Sequence, residues 1–248
     1  MKILVSGLGG HMGQEVAKLA RDGYYGAQLV GGVDAFAIET GEYPCVKTFD
    51  EAPTDVDCIV DFSHHSCTKA LLAFAVKNKL PLVLATTGQT EEEQALIDEA
   101  AGQIPLFFSA NYSMGVALLI ELAKKTASAM PQAEIEIIEK HHNRKVDAPS
   151  GTALAIAKAI TEVRPNAEIV TGRSGYGKRT PNEIGIHAIR MGNIVGDHEV
   201  IIGTPNQTIT LKHEAHSRAL LAEGALAAAK FVVGKPAGFY DMKSIIAR

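Results

Sequence analysis

The segment "KILVSGLGGHMGQEVAKLA", residues 2–20, decides the fold of this chain. It begins with an apolar run typical of a buried strand, and from Met12 onward apolar residues recur at i, i+4, i+7 and i+8, which indicates a helix. Gly7, Gly10 and Gly13 lie where the two elements meet. Glycines at a helix N-terminus leave backbone N–H groups accessible to a pyrophosphate, so the segment predicts a dinucleotide site. The alternative is a tight turn with a flexible helix cap.

The same alternation of strand and helix continues through the first hundred residues. Helical spacing recurs around Leu71 and from Glu91 to about Ala101. Further apolar strands are predicted at 27–34, 57–63, 80–88 and 104–111. Continuously apolar strands separated by helices are typical of a parallel sheet covered on both faces, so we expect an α/β N-terminal domain.

The pattern changes near residue 113. The predicted elements are a long helix over 113–130, a strand with period-2 alternation over 134–142, a helix over 151–163, two or three antiparallel strands within 184–215, and a last helix over about 217–233. We therefore expect an α+β second domain over 113–215. The first domain is expected to comprise 1–112 and 216–248, with the C-terminal segment returning to it.

Asp34 ends the second predicted strand, about twenty residues after the glycine loop, where an acidic side chain can bind an adenosine ribose. Its carboxylate would repel a 2′-phosphate, and residues 35–38, Ala-Phe-Ala-Ile, contain no cation. His11 is the nearby candidate for a phosphate contact. The sequence thus predicts NADH, or use of both NADH and NADPH. Alternatively, Asp34 is only a turn residue at a strand end.

Small polar residues follow the fourth and fifth predicted strands, in "ATTG" (85–88) and "SANYS" (109–113). The carboxyl ends of parallel strands border the ligand crevice of such sheets, so these residues could line a nicotinamide. Each segment alone could equally be an ordinary loop, because such residues are common in loops.

The segment "EKHHNRKVDAPSGTA", residues 139–153, combines two histidines with Arg144 and Lys145 directly before a predicted helix. The like charges repel each other unless an anion compensates them. Ser150 is positioned to cap the helix, whose first amides favour a carboxylate. An imidazole there could transfer a proton near neutral pH. The loop therefore predicts a receptor for a small polyanion, the alternative being solvated surface histidines.

Composition excludes several classes of protein. A net charge of -4 and a pI near 6.1 argue against binding nucleic acid through phosphate neutralisation. No apolar run is long enough to span a bilayer, and no signal peptide precedes the first strand. Three cysteines without CxxC spacing, and no third ligand near the histidine pair, indicate neither a disulfide framework nor a metal site. We expect a cytoplasmic protein.

The motifs together resemble those of the bacterial 4-hydroxy-tetrahydrodipicolinate (dihydrodipicolinate) reductase family of lysine and diaminopimelate biosynthesis. The matching segments are "VSGLGGHMGQ", "VDFS", "TTG", "NYSMGV", "EKHHNRKVDAPSGTA" and "HAIRMGNIVGDHEVIIG". The resemblance implies a Rossmann-type parallel-sheet domain with an α+β substrate and oligomerisation domain, assembled as a homotetramer. It implies NAD(P)H-dependent reduction of 4-hydroxy-tetrahydrodipicolinate to tetrahydrodipicolinate with loss of water.

The resemblance also implies roles for individual residues. His141 would be the proton donor and Lys145 the catalytic cation. Substrate carboxylates would be bound by His142, Lys145, Ser150, Gly151 and Thr152. The dinucleotide would be bound by Gly7, Leu8, Gly9, Gly10, His11, Met12, Asp34, Ala85, Thr86, Thr87, Ser109, Ala110, Asn111 and Tyr112.

The chain departs from the family pattern at two positions. Some members carry arginine directly after the strand-2 acid, where this chain has Ala35, and glycine is usual where it has Ala85. The first departure favours NADH, or both cofactors, over strict NADPH use. Two other hypotheses are a different dehydrogenase acting on a small anionic keto or imino acid, and a non-enzymatic dinucleotide sensor. Neither would need the His-His-x-x-Lys and Ser-Gly-Thr unit.

Overall fold

The computed structural model describes residues 1–36 and 43–247. The chain divides into two compact units, one comprising Met1–Ser113 and Ala219–Arg248, the other Met114–Arg218. Secondary-structure elements are numbered here in chain order through both units.

The first unit is built on a seven-stranded, fully parallel sheet in the order β12-β6-β5-β4-β1-β2-β3. Its strands are β1 (Lys2–Ser6), β2 (Gln28–Val33), β3 (Cys45–Val46), β4 (Cys58–Asp61), β5 (Leu82–Leu84), β6 (Pro105–Phe108) and β12 (Gly238–Tyr240). Its helices are α1 (His11–Arg21), α2 (Thr68–Lys77), α3 (Glu91–Ala101), α6 (Ala219–Val232) and α7 (Met242–Ile246), with short 3-10 helices at Tyr24–Gly26, Phe49–Glu51 and His65–Cys67.

Helices cover both faces of this sheet. Leu4 and Val5 are neighbours on β1 and point to opposite faces, yet both are fully buried. Helix α1 packs against α6, and α2 packs against α3. Strand order reverses between β1 and β4, which lie side by side, so the carboxyl ends of these two strands form the topological switch point where ligands bind in such sheets.

The second unit is a five-stranded mixed sheet in the order β11-β10-β7-β9-β8, with two helices packed on its core face. Its elements are α4 (Met114–Ala129), β7 (Glu134–His141), α5 (Gly151–Thr161), β8 (Glu168–Thr171), β9 (Glu183–Arg190), β10 (Gly196–Thr204) and β11 (Gln207–Ala215). Burial alternates along β7, so that Ile135, Ile137, Glu139 and His141 all lie on the buried face.

The prediction of two or three antiparallel strands within 184–215 is met by one antiparallel pair, β10 and β11. Strands β10 and β11 are antiparallel to each other, and β10 is antiparallel to β7, but β9 runs parallel to both β7 and β8. The chain from β7 crosses over through α5 before β8 and β9, and such a crossover returns a strand in the parallel direction. In the part of the chain that the structure describes, no helix is long and apolar enough to cross a membrane.

Candidate active site

The glycine loop connects β1 to α1 through two close backbone approaches. Gly7 has φ +78°, and a Cβ added to it would lie 2.6 Å from the carbonyl oxygen of Phe62. A Cβ on Gly13, in the first turn of α1, would clash with the carbonyl oxygen of Gly7. Only glycine fits at both positions, so the helix can start directly over the end of the strand.

The N-terminus of α1 suits a pyrophosphate. Gly10, its N-cap, provides no side-chain hydrogen bond, and the first turn contains no acidic residue. Its amides therefore have no side-chain acceptor at the cap and carry the positive end of the helix dipole. The loop's residues fit the phosphates of a dinucleotide.

A pocket of about 1070 Å³ opens beside this loop. Gly7, Gly9 and Gly10 line it, together with Asp34. Leu8, also predicted to bind the dinucleotide, is fully buried, so neither its side chain nor its backbone is accessible to a ligand in this structure. His11 and Met12, also predicted to bind the dinucleotide, begin α1 and are not among the described residues that line the pocket.

Asp34 is fixed to the glycine loop. Its Oδ2 accepts a hydrogen bond from the Gly9 backbone N–H at 2.9 Å, and its Oδ1 accepts one from Phe36 N–H at 3.0 Å. The carboxylate therefore lies in the pocket at the end of β2, where a ribose hydroxyl could reach it. Residues 35–38 contain no cation by sequence. Of these four, the structure describes Ala35 and Phe36, whereas residues 37 and 38 lie outside the described residues.

Two cations that line this pocket were not predicted from the sequence. Lys47 follows the two-residue strand β3, and Lys77 lies at the end of α2. Strand β3 is too short to show a period, so nothing in the local pattern places Lys47 beside Asp34. Phe36, Phe49 and Phe74 add aromatic surface to the same pocket.

The segments after β5 and β6 contribute buried scaffold side chains. Thr86 Oγ donates to Asp61 Oδ2 at 2.6 Å, and Tyr112 OH donates to the carbonyl oxygen of Leu84 at 2.8 Å. Burial raises the pKa of Asp61, opposed by hydrogen bonds from Ser63, Thr86 and Ser6. The remaining predicted ligands here are more accessible; they are Ala85, Thr87, Ser109, Ala110 and Asn111. None of the described residues in these segments lines the pocket beside Asp34.

In the second unit, a buried cluster surrounds His141. Glu139, on the same face of β7, is 0% exposed, and its Oε2 lies 2.6 Å from His141 Nδ1. Arg190 donates to both Glu139 oxygens, at 2.7 and 2.8 Å, and Ser150 N–H donates to Oε1 at 2.9 Å. His198 completes the cluster, with its ring centroid 5.2 Å from that of His141.

Register between strands creates this cluster. His198 on β10 lies opposite Glu139, and Arg190 on β9 lies opposite His141. His141 and Ser150 were predicted from the sequence as site residues, whereas Glu139, Arg190 and His198 were not. The period-2 alternation of β7 was the signal that could have placed Glu139 beside His141; the cross-strand partners have no local signal.

The positive charges of Lys145 and Arg144 repel each other less than the sequence suggested, because both side chains have partners within the protein. Lys145 Nζ pairs with Asp147 Oδ1 at 2.7 Å, and Arg144 donates to the side-chain oxygens of Asn143 and Asn193. The hydrogen bond from Lys145 is the main cause of a lowered Asp147 pKa. Internal partners therefore compensate part of the positive charge without an external anion.

The two adjacent histidines differ in burial and surroundings. His141 is 8% exposed, whereas His142 is intermediate in exposure. Desolvation lowers the pKa of His142, helped by nearby positive charges from Arg144, Arg218 and other neighbours. His142 is thus favoured as a neutral hydrogen-bonding group.

The N-terminus of α5 is capped from within the cluster. Ser150 Oγ accepts a hydrogen bond from Ala153 N–H at 3.2 Å and lies 3.1 Å from His198 Nε2. A Cβ on Gly151 would meet no atom within 4 Å, so there is room for a side chain there, and the Gly151 backbone N–H bonds the Asp147 carboxylate. The backbone N–H groups of Gly151 and Thr152 belong to this first turn, which favours an anion.

Among the residues described, no group of three or more His, Cys, Asp or Glu side chains could hold a metal ion. Each unit thus contains a candidate site of its own: a dinucleotide-type pocket in the first, and in the second a histidine–carboxylate cluster next to the lysine-bearing loop that leads into α5.

Comparison with known proteins identifies the family. Residues 1–112 match the family described as dihydrodipicolinate reductase, N-terminus, and residues 115–246 match dihydrodipicolinate reductase, C-terminus. The 4-hydroxy-tetrahydrodipicolinate reductase of Caldanaerobacter subterraneus is 45% identical over 99% of this chain and 98% of its own length. That of Clostridium tetani is 43% identical over 99% of this chain and 97% of its own length.

Solved structures show the same fold. A dipicolinate-bound dihydrodipicolinate reductase from Paenisporosarcina sp. TG-14 superimposes with a TM-score of 0.83 at 23% identity, covering 99% of each chain. A probable dehydrogenase from Thermotoga maritima gives a TM-score of 0.64 at 12% identity, covering 98% of this chain and 92% of its own. By its sequence and its fold, the chain belongs to the dihydrodipicolinate reductase family of pyridine-nucleotide-dependent oxidoreductases.

Proposed function

We propose that this chain reduces 4-hydroxy-tetrahydrodipicolinate to tetrahydrodipicolinate, with loss of water, in lysine and diaminopimelate biosynthesis. The observation that carries the proposal is the cluster around His141: an almost buried imidazole bonded to a buried carboxylate, followed by a loop that carries Lys145 into a helix N-terminus. The names of relatives over 40% identical support the same substrate.

The substrate would bind as a dianion in the second unit. One carboxylate would be held by the first amides of α5, at Gly151 and Thr152, and by the Lys145 ammonium. His142 and Ser150 are proposed to contact the substrate carboxylates as well, although Ser150 is buried, its N–H donates to Glu139 and its Oγ caps α5. The pair between Lys145 and Asp147 would open as the substrate arrives, because both carboxylates compete for the same ammonium.

His141 and Lys145 would perform the chain's part of the chemistry. When bound, a reduced nicotinamide supplies the hydride. As the substrate ring gains negative charge, the Lys145 ammonium stabilises that charge electrostatically. His141 then donates a proton to the ring, a step within the reach of an imidazole near neutral pH.

The first unit is proposed to bind the dinucleotide, with NADH preferred to or used as well as NADPH. The phosphates would lie on the N-terminus of α1, and Asp34 would accept hydrogen bonds from the adenosine ribose. Asp34 disfavours a 2′-phosphate by charge, but Lys47 lines the same pocket and would partly offset that repulsion. The residues after β5 and β6, from Ala85 to Thr87 and from Ser109 to Tyr112, remain proposed nicotinamide contacts.

A coupled assay tests this function. The substrate is generated enzymatically in the cuvette, and the loss of nicotinamide absorbance is followed with NADH and with NADPH in turn. We expect turnover with both, and kcat/KM with NADH equal to or above that with NADPH. No turnover with either cofactor would refute the reductase, whereas a large NADPH preference would refute only the role given to Asp34.

The assembly and location are also proposed. The family resemblance favours a homotetramer formed through the second unit, and a cytoplasmic enzyme without nucleic-acid or membrane partners. Light scattering of the purified chain at micromolar concentration should give four times the 26.3 kDa monomer mass. A monomer at that concentration would contradict the tetramer.

A further inference from the structure

Glu139 is a fully buried carboxylate whose bonding is saturated by its own cluster. Its Oε2 lies 2.6 Å from His141 Nδ1 and accepts from Arg190 at 2.8 Å, while Oε1 accepts from Arg190 at 2.7 Å and from Ser150 N–H at 2.9 Å. We propose that Glu139, fixed by Arg190, is the positioning residue that sets the tautomer and orientation of His141. The inference rests on the proposed function only in giving His141 the role of proton donor.

The ionisation of Glu139 decides which ring nitrogen carries the hydrogen. Burial raises the pKa of this carboxyl, but hydrogen bonds from Arg190, His141 and Ser150 outweigh burial and leave the pKa lowered. An ionised carboxylate only accepts hydrogen bonds. His141 Nδ1 must therefore carry a hydrogen, which leaves Nε2 as the atom that gains and loses the transferable proton.

Arg190 is the clamp that makes this arrangement rigid. Its two terminal nitrogens bind both carboxylate oxygens, and the same nitrogens donate to the carbonyl oxygens of Ile189 and Asp147. A planar guanidinium in this bidentate geometry fixes the plane of the carboxylate. The contact with Asp147 also ties the clamp to the loop that carries Lys145.

Gly196 keeps space beside Nε2. A Cβ at this position would lie 3.0 Å from His141 Nε2, closer than side-chain carbons normally approach. Gly196 does not have a positive φ, so its backbone does not require glycine. The absence of a side chain at Gly196 leaves room beside His141 Nε2, the ring nitrogen that does not face Glu139.

Two other nearby side chains, His198 and Lys145, do not bind His141 Nδ1. His198 from β10 presents its ring edge-on at 5.2 Å, and its Nε2 is engaged with Ser150 Oγ. Lys145 is paired with Asp147. Glu139 is therefore the acceptor that the described structure gives to His141 Nδ1.

Nitrogen-15 NMR of the histidine-labelled protein tests the inference directly. Long-range proton–nitrogen correlations report the tautomer of each neutral imidazole, and the His141→Gln variant assigns the signal. We expect the wild-type protein, free of ligands and at a pH where the ring is neutral, to show His141 with its hydrogen on Nδ1. A signal with the hydrogen on Nε2 would overturn the inference, whether or not the protein reduces the proposed substrate.

Glu139→Gln supplies the kinetic test. A neutral amide can present either an oxygen or an NH₂ group to Nδ1, so the tautomer is no longer fixed. We expect mixed tautomers and a kcat reduced by about 10²–10⁴, with KM changed less than threefold, because the carboxylate acts through His141 rather than on the substrate. A variant that keeps both the wild-type tautomer and the wild-type kcat would refute the role.

Glu136→Gln is a matched control. Glu136 lies on the same strand as Glu139 but on its opposite face. It also bonds an arginine and a histidine, Arg179 at 3.0 Å and His187 at 2.9 Å. Its loss should leave the His141 tautomer and kcat unchanged. Should Glu139→Gln fail to fold, the wild-type spectrum and the Arg190→Lys variant still test the inference. Arg190→Lys keeps the positive charge but cannot bind both carboxylate oxygens in the same plane. An unchanged kcat in this variant would refute the role given to Arg190.

Discussion

At the residue scale, β7 turns His141 and its carboxylate partner to the same buried face of the sheet. Alternation along β7 turns Glu139 and His141 to the core face, and Arg190 and His198 arrive from the neighbouring strands. The carboxylate and the guanidinium compensate each other, so the ring is oriented without a net charge being buried. The exposed loop that follows carries Lys145, where a charged substrate can reach it.

The role of His141 predicts a loss of turnover rather than of cofactor binding. His141→Gln should lower kcat by about 10²–10⁴, the range for losing a general acid, while the dissociation constant of NADH stays near wild type. Stopped-flow absorbance and fluorescence titration measure the two quantities. His187→Gln, a histidine on β9 that pairs with Glu136, is the control. Unchanged turnover in His141→Gln would exclude it as proton donor.

Lys145 should contribute to binding as well as to turnover. Lys145→Ala removes the ammonium that now pairs with Asp147, so we expect pyridine-2,6-dicarboxylate to bind about 10- to 100-fold more weakly, equivalent to ~1.5–3 kcal/mol for a charged hydrogen bond. Calorimetry measures this, and kcat should fall in parallel. Exposed Lys125→Ala is the control. Wild-type affinity and kcat in Lys145→Ala would mean that this lysine serves only its ion pair with Asp147.

At the element scale, the contact between β1 and α1 determines whether the first unit can form its pocket. The helix begins over the strand because Gly7 adopts a positive φ and Gly13 leaves room for the Gly7 carbonyl. Gly10 then caps the helix without a side chain. Backbone fit and the proposed phosphate site thus depend on the same short segment.

Gly13→Ala should destabilise this contact. The added methyl clashes with backbone that cannot move aside, so we expect a loss of ~1–3 kcal/mol, or about 2–12 °C in Tm, together with weaker NADH binding. Gly151→Ala, also in the first turn of a helix, meets no atom within 4 Å and serves as the control for thermal unfolding. Equal Tm values for the two variants would show that α1 can shift without cost.

The sequence predicted the elements that have a clear period and missed those that do not. The helix over 91–101 and the strand, loop and helix around Gly7 are found where the pattern places them. Strands β3, β8 and β12 contain two to four residues, too few to show alternation, and they lack the longer apolar run that marked the equally short β5. The direction of β9 depends on the crossover through α5, which local alternation does not encode.

The same limit applies to the site. Lys145 and His141 stand out because histidines and cations cluster before a helix start. Arg190 and His198 are ordinary residues in their own strands, and only the register across the sheet brings them to Glu139. The local sequence pattern does not predict contacts between residues that are far apart in the chain.

At the scale of the whole molecule, the buried histidine makes stability depend on pH. Burial, reinforced by His141, lowers the pKa of His198 from about 6.5 to about 4. Between these values the unfolded chain binds a proton at this side chain that the folded chain does not, so stability falls as the pH falls through that window. From pH 7 to pH 5 the expected loss is about 2 kcal/mol.

Denaturant unfolding at pH 7 and at pH 5 checks this prediction. His198→Gln retains a polar group that can reach Ser150 but does not titrate, so its stability should fall by about 2 kcal/mol less than that of the wild type over the same interval. The comparison cancels the contributions of the other histidines. Equal losses in the two proteins would show that His198 is not held neutral in the fold.

The central claim is that the helix start at Ser150 and the cluster around His141 bind a dicarboxylate ring. The most direct measurement is a crystal structure of the chain with NADH and pyridine-2,6-dicarboxylate. We expect one carboxylate of the ligand to bind the backbone N–H groups of Gly151 and Thr152. Lys145 should have left Asp147 to bind the same carboxylate, and His141 Nε2 should point at the ligand ring. A ligand bound elsewhere, with the Lys145–Asp147 pair intact, would contradict it.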